Sequence, residues 1–343
     1  MIQIISVDDP LWSSIVRSAN NFDFYHTQSY HLLERDSEPV LFVLRIEQRF
    51  IALPLVIRKI EGTKLYDCTS VYGYCGPITN IPPDRLDANT LGIFKQELLS
   101  FFRDRGIISA FSRLHPLLEN HSIFGNLGQI VTVNLTVAID LRQSLEDQRK
   151  QFRKSNKSEL NQLRRKGFHV KEATTKEEID KFVQIYYQTM DRVKASSLYY
   201  FDHEYFHRFL NNPCFDSKLL LAIHEGEIAA GAIFTMSDTI MQYHLAGTEF
   251  RFIPDTPMKL IIDEARMLGT SFKMKYLHLG GGVGGSDVDS LFKFKSGFSN
   301  LRFQYRVWKM IVDEDAYDRL VEERGFKERE QSEFFPLYRL NIN

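Results

Sequence analysis

Two stretches of the chain share one alternation of apolar and polar positions. Residues 40–57, VLFVLRIEQRFIALPLVI, are apolar on both sides of a polar break at Glu47-Gln48-Arg49, the pattern of a hairpin. Residues 218–237 read the same way and turn at Glu225-Gly226-Glu227. After the first hairpin the pattern predicts a helix over 84–106 and a strand over 107–114. After the second it predicts a strand over 239–246, a helix over 256–269 and a strand over 275–280. Thr256 before Pro257 is the expected N-cap, with proline at the first helical position. The repetition predicts an α/β (α+β) chain made of two copies of one unit, each with a mixed central sheet.

Between the two copies the sequence is helical. Residues 144–167 open on a capping box of Ser144 and Asp147 and close on Gly167, reading as one helix. A second helix over 176–194 follows a box of Thr175 and Glu178, and a third starts at Asp202 and stops at Asn212-Pro213. From 301 onward the pattern gives a long strand, a helix and a last strand, FFPLYRL.

The chain has 343 residues, 43% hydrophobic and 25% charged, with a formal charge of −1. That is the mix of a globular protein with room for two domains, and any nucleic-acid contact needs a local patch. The three cysteines, Cys68, Cys75 and Cys214, make neither a metal pattern nor a disulfide framework. No secretory leader is evident at the start, and no apolar run approaches the ~20 residues of a membrane span. A cytoplasmic location is the expectation.

Four local signals carry candidate chemistry. LHLGGGVGGSDVDSLFKFKSGF (277–298) matches G-x-G-x-x-G at Gly280, Gly282 and Gly285. A dinucleotide site also needs an acid about 20 residues on. That position here falls among Arg302 to Arg306, and Asp287 and Asp289 would repel a pyrophosphate. The glycines read better as a floor where a ligand lies close to backbone. HEYFH (203–207) matches a zinc-peptidase pattern, with Glu227 as a third candidate ligand. Its helix is short and Glu227 falls at a hairpin turn, so no metal is expected. Between Arg149 and Lys166, eight cations stand against the single acid Glu159. Arg149, Lys150, Arg153, Lys154 and Lys157 are therefore candidates for binding phosphate or tRNA. In FKFK, Phe292 and Phe294 alternate with Lys293 and Lys295. On an extended segment one pair would pack while the lysines project, able to neutralise a phosphate or a developing oxyanion.

Taken together, YYFDHEYFHRFL, LLLAIHEGEIAAGAIF, YHLAGT, LHLGGG and DSLFKFKSGF resemble the Fem family of peptidyl transferases, within the GNAT-like acyltransferases. The resemblance is strongest over 140–313, while HTQSYHLLER (26–35) and YGYCGPI (72–78) resemble the family's N-terminal unit. It implies tandem GNAT-like domains: residues 1–139, with a tail of about 318–343 returning to them, and residues 140–317, which hold the catalytic motifs. It implies transfer of an amino acid from aminoacyl-tRNA to an amine of a cell-wall precursor, with no tightly bound cofactor. Phe294 and Lys295 are then expected at the reaction centre, with Arg302 and Lys293 nearby. Tyr243 and Arg192 are expected to line the acceptor groove, and Arg35 to meet the precursor's diphosphate. The long helical arm of some family members is missing.

An aminoacyl ester is already activated, and the sequence offers no Ser-His or Cys-His arrangement, which suits direct attack by the amine. The main alternative is an acyl-CoA-dependent GNAT N-acetyltransferase. Such enzymes hold pyrophosphate on the N–H groups of a glycine-rich loop at a helix start. The equivalent stretch, EFRFIPDTPMK (249–259), has no glycine, two prolines, and Asp255 at the positive helix end. A non-catalytic precursor-binding module is the further alternative. The transferred group, the acceptor and the oligomeric state are not readable from the sequence.

Overall fold

The computed structural model describes residues 1–34, 37–282, 289–326, 332 and 334–340. Arg35, Gly285 and Asp287 lie outside the described residues. The chain divides into two compact units, residues 1–133 with 304–343, and residues 134–303. Both are mixed α/β structures, as the repeated pattern predicts.

In the first unit the chain runs β1 (Ile2–Ser6), α1 (Leu11–Arg17), α2 (Gln28–His31), β2 (Glu38–Ile46), β3 (Arg49–Lys59), β4 (Tyr66–Thr69), β5 (Ile78–Thr79), α3 (Ala88–Asp104) and β6 (Ile107–Leu114). It enters the second unit within β7 (Gln129–Asp140). There follow α4 (Leu145–Lys150), α5 (Lys154–Arg165), β8 (His169–Glu172), α6 (Lys176–Arg192), α7 (His203–Leu210), β9 (Asp216–His224), β10 (Glu227–Ser237), β11 (Ile240–Thr248), α8 (Met258–Ser271), β12 (Tyr276–Gly280) and α9 (Ser290–Ser296). β13 (Leu301–Ile311) carries the chain back to the first unit, where α10 (Glu314–Glu323) follows.

The first sheet runs β1-β2-β3-β4-β6-β13, with β5 paired to β3. Its central hairpin is apolar at nearly every position because both faces are covered. Val40, Phe42 and Leu44 pack with Phe94, Leu98 and Phe102 of α3. Leu41 and Val43 pack with Trp12, Ile15 and Val16 of α1. In α3 the buried residues recur every four positions, and the Asp87 carboxylate caps the helix by accepting from Thr90 N at 2.8 Å. Each such core side chain contributes about 1.5–3 kcal/mol on burial.

The second sheet runs β7-β12-β11-β10-β9-β8. On one side α5 and α8 pack over it through Leu160, Leu163, Leu260 and Ile261. On β10 and β11, Gly231 and Gly247 are paired, and α6 lies against them. A Cβ at Gly231 would stand 2.5 Å from the Phe182 ring, and one at Gly247 would stand 3.0 Å from the Tyr186 backbone. Only glycine at both positions lets the helix come this close.

Four expectations need correction. The span 144–167 is two helices, α4 and α5, separated at residues 151–153, where Arg153 N donates to Gly297 O instead of continuing the helix. Thr256 does not cap α8. It sits in the left-handed region with φ 57° and donates its hydroxyl to Glu159, while Pro257 occupies the cap position. FKFK is helical in α9, because Asp289 accepts from Phe292 N at 2.9 Å and starts a helix there. FFPLYRL is not a strand but ends in a single 3₁₀ turn, Leu337–Arg339. Its polar ends bind the buried Asp67: Tyr338 donates at 3.1 Å and Arg339 donates beside Arg58.

The first unit also buries four titratable residues together, Asp23, His26, His31 and His115. His115 accepts from Leu117 N at Nδ1, so its Nε2–H donates to Asp23 Oδ2 at 3.0 Å. His26 accepts from Asp23 N, and His31 donates to Thr27 O. Burial pulls His26 down from 6.5 to about 3 and His31 to about 4. Their folded pKa values lie below the unfolded value. Stability is therefore full above pH 6.5 and falls as pH drops from there toward 4, since only the unfolded chain takes the protons. At pH 5 each histidine costs roughly 2 kcal/mol. Thermal melts between pH 7 and 4 should show a steep loss of Tm in the wild type and a shallower one in His31→Gln. Parallel slopes would show that His31 is not a source of the loss.

Candidate functional site

The site forms where two parallel strands of the second unit part. β11 and β12 pair at Ile240–Tyr276, Met241–Leu277 and Gln242–His278, and the ladder ends there. On its other side β12 carries a bulge between His278 and Gly280 against β7. Gly280 has φ 76°, a conformation glycine adopts without strain. The bulge turns the strand end away, and Gly281 follows as buried backbone.

At the last rung of the ladder, Gln242 and His278 are both buried. Gln242 Nε2 donates to Tyr243 O at 3.0 Å, leaving Oε1 to accept from His278 Nδ1–H at 2.7 Å. This pair fixes the vertex between the strand that carries Tyr243 and the strand that leads to Gly281.

Lys295, on α9, reaches across that vertex. It is 7% exposed, and its Nζ donates to Gly281 O at 2.7 Å. The same ammonium lies 5.6 Å from the centre of the Tyr243 ring, where the negative ring face attracts a desolvated cation. Burial pulls the Lys295 pKa from 10.5 to about 8, opposed by the nearby Asp289 carboxylate. Gly281 occupies one of the ammonium's three N–H groups. Burial also pushes the Tyr243 phenol up, so it stays protonated.

The other expected residues fall in three places. Phe294 packs into the core beneath α9 and meets Phe298 edge-on at 5.6 Å. Arg302 folds back on its own turn, donating to Ser299 O at 2.7 Å and to Leu301 O at 3.1 Å, and lies over the Phe292 ring. Burial lowers its pKa. Lys293 is exposed on α9. Arg192 stands at the end of α6 and donates to Thr248 O at 3.5 Å. Thr248 is five residues along β11 from Tyr243, a separation of about 16 Å. The structure thus brings Lys295 and Tyr243 into contact and leaves Arg192 apart from them.

The basic run is less basic in three dimensions than in sequence. The buried Asp263 of α8 receives Arg149 at 3.2 Å, Arg164 at 2.8 Å and Arg266 at 2.7 Å. Lys166 pairs with Asp255 at 2.5 Å, and Lys150 pairs with Glu146 and Asp147. Arg149 and Lys150 therefore each have an acid partner within the chain. Arg153 and Lys154 are exposed and form no ion pair among the described residues, and Lys157 donates only to Lys150 O at 3.0 Å.

At the start of α8, where a GNAT would hold pyrophosphate, Lys259 N and Leu260 N already donate to Thr256 O and Pro257 O at 3.0 Å. His207 Nε2–H donates to Asp180 Oδ1 at 2.8 Å, and Glu227 pairs with Arg251. Among the described residues no group of three His, Cys, Asp or Glu side chains is placed to hold a metal. Gln242, His278 and Asp289 were missed by sequence reading. Gln242 stands just before YHLAGT, His278 inside LHLGGG and Asp289 at the start of DSLFKFKSGF, but the importance of Gln242 and His278 depends on the parallel pairing.

The Lys295 environment has a measurable consequence. In chemical labelling of amines followed by mass spectrometry, Lys295 should react with a pH midpoint near 8, well below exposed lysines at about 10.4. Asp289→Asn preserves an N-cap and removes the opposing charge, so the midpoint should fall further. A Lys295 midpoint matching that of surface lysines would disprove the desolvated ammonium.

Comparison with known proteins gives a consistent picture. The FemAB family model matches residues 119–228. No curated protein matches the sequence. Among solved structures the fold resembles FemX, with a TM-score of 0.72 at 11% identity over 93% of this chain and 99% of that one. It also resembles L-PGS from Bacillus licheniformis, with a TM-score of 0.59 at 13% identity over 90% and 93% of the two chains. A tandem GNAT protein from the clavulanic acid biosynthesis pathway matches with a TM-score of 0.50 at 8% identity over 91% and 99%. A segment of the chain thus matches the FemAB family model, and the fold resembles those of FemX and of a tandem GNAT protein.

Proposed function

We propose that the chain is an acyltransferase of the Fem type that moves an aminoacyl group from aminoacyl-tRNA onto an amine of a cell-wall precursor peptide or related glycoconjugate. The observation that carries this reading is the Lys295 ammonium, desolvated between Gly281 O and the Tyr243 ring at the strand fork, with N–H groups left to donate. The FemAB match over 119–228 supports the reaction class.

In the reaction the acceptor amine attacks the ester carbonyl, a C–N bond forms and the C–O bond to the donor's ribose breaks. The amine's proton ends on the departing oxygen. Negative charge develops on the carbonyl oxygen and then on the leaving oxygen, and in this reading Lys295 stabilises it. Preorganised donors act strongly where water is excluded, because no solvent need reorganise. Tyr243 holds the ammonium in place and gives the acyl group an aromatic wall. The reaction uses no protein nucleophile.

An acyl-CoA donor is disfavoured by the start of α8, whose N–H groups at 259 and 260 are already bonded and whose Asp255 is acidic. No described helix is long and apolar enough to cross a membrane. Both substrates of the proposed reaction are met in the cytoplasm, and that is where this reading puts the enzyme.

Single-turnover transfer of a labelled aminoacyl group to a muropeptide acceptor tests the assignment. Lys295→Ala should lower kcat about 10²–10³-fold with acceptor binding close to wild type. Lys293→Ala should do much less, because that side chain is exposed. Lys295→Arg should rescue only in part, since a planar fork does not fit the place of a compact ammonium. Full activity of folded Lys295→Ala would remove this lysine from the mechanism, and absence of transfer by the wild type would leave a precursor-binding module.

A further inference from the structure

The elements that build the site carry few charges of their own. β11 reads IMQYHLAGT and β12 reads YLHLG, with no acid, lysine or arginine in either. α9 reads SLFKFKS, with two lysines and no acid. Lys295 is 7% exposed, so little water surrounds its ammonium. The acid at the entry to α9 is Asp289, and its carboxylate is close enough to act on that ammonium.

The two opposite charges stand on consecutive glycines. Lys295 Nζ donates to Gly281 O at 2.7 Å. Asp289 lies against Gly282: a Cβ there would be 2.6 Å from the carboxylate carbon, 2.7 Å from Oδ1 and 2.9 Å from Oδ2. A side chain at 282 would push the carboxylate away, so glycine is what permits this approach. The Asp289 carboxylate also accepts from Phe292 N at 2.9 Å, which fixes its direction. A carboxylate has about four acceptor positions, so capping α9 does not exhaust it. Gly282 and Asp289 are both half-buried, which leaves this spot reachable from outside.

We propose that Asp289 binds the α-ammonium of the transferred aminoacyl group, so that the site selects donors with a free α-amine over plain acyl donors. The inference rests on the acyl-transfer reading above. In an aminoacyl ester the α-nitrogen is about 2.5 Å from the carbonyl carbon. With Lys295 on the carbonyl oxygen, the α-ammonium comes close to a second cation, and like charges in a desolvated place repel strongly. A carboxylate on the adjoining glycine offsets that repulsion and gives the α-ammonium a charge-assisted hydrogen bond. An acetyl group carries no such charge and gains nothing from it. The acceptor amine is the poorer partner for Asp289. It must be neutral to attack, and a carboxylate beside an amine favours the protonated form.

The test compares two donors that differ in one group. One is an RNA minihelix esterified with alanine. The other is the same RNA esterified with lactate, which has a hydroxyl in place of the α-ammonium. Transfer to a muropeptide is measured at about pH 6.5, where the α-ammonium and the Lys295 ammonium of the wild type both keep their charge. The wild type should prefer the alanyl donor about 10–100-fold in kcat/KM, the range of one hydrogen bond to a charged group. In Asp289→Asn, which preserves an N-cap, the preference should fall to within about threefold of unity. Asp289→Glu should restore part of it, since the charge returns on a longer arm. Folding is checked by circular dichroism, and Asp289→Ser serves if the Asn variant does not fold. The readout is the ratio between donors, which a purely structural role of Asp289 leaves unchanged. No preference in the wild type, the same preference in Asp289→Asn, or equal losses with both donors overturns the proposal. A second arm separates this from failure of the acyl-transfer reading: titration calorimetry with 3′-amino-3′-deoxyadenosine carrying an alanyl or a lactyl amide. If the wild type transfers neither ester but binds the alanyl amide more tightly, and Asp289→Asn removes that difference, the Asp289 site stands and the reaction assigned above fails. Equal binding of the two amides by the wild type overturns the role of Asp289.

Discussion

The hydrogen-bonded ladder between β11 and β12 stops after Gln242 and His278, and that stop gathers the site into one place. Two parallel strands that stayed paired would leave no backbone free to meet a side chain from elsewhere. Here the bulge before Gly280 bends β12 away, and Gly281 is left with a carbonyl that Lys295 reaches. Tyr243, next along β11, supplies the ring beneath the ammonium. The buried bond between His278 and Gln242 holds the two strands at the point where they part. If that bond were lost, the distance between Tyr243 and Gly281 would no longer be fixed, and the ammonium would lose its geometry before its charge.

Charge in this unit is organised by burial. Asp263 is buried, and a buried carboxylate must be paired. It gathers Arg149, Arg164 and Arg266 from three helices and ties α4 and α5 to α8. Arg153 and Lys154, at the other end of the basic run, are exposed and form no ion pair among the described residues. The same logic appears in the first unit, where the buried Asp67 fastens the tail through Tyr338 and Arg339.

Much of the framework was legible in the chain. The hairpins at 40–57 and 218–237, the helices capped by Asp87, Thr175 and Asp202, and the strand at 107–114 follow from local rules, since period, cap and turn all act over a few residues. Lys295 was singled out in the sequence by the FKFK alternation and by the family resemblance. The helical state of FKFK was not, because its alternation suits a strand and only the Asp289 cap decides for a helix. Gln242 and His278 could not be singled out, since 36 residues separate them and neither is unusual for a strand. The break at 151–153 depends on Gly297, more than a hundred residues away.

The sequence by itself determined most of the helices and strands, that the chain is a mixed α/β structure, and that glycines precede a lysine-bearing segment near the end. Those properties depend on propensities and periods that act within a few residues. Tertiary structure alone decided which cations stay free, how the Lys295 ammonium is desolvated and where the two strands part. Each of these depends on what distant segments place within a few ångströms: Asp263 against Arg149 and Arg164, Tyr243 and Gly281 around Lys295, His278 against Gln242. Electrostatic energy falls with distance and rises with burial, and neither quantity is written in a count of residues along the chain.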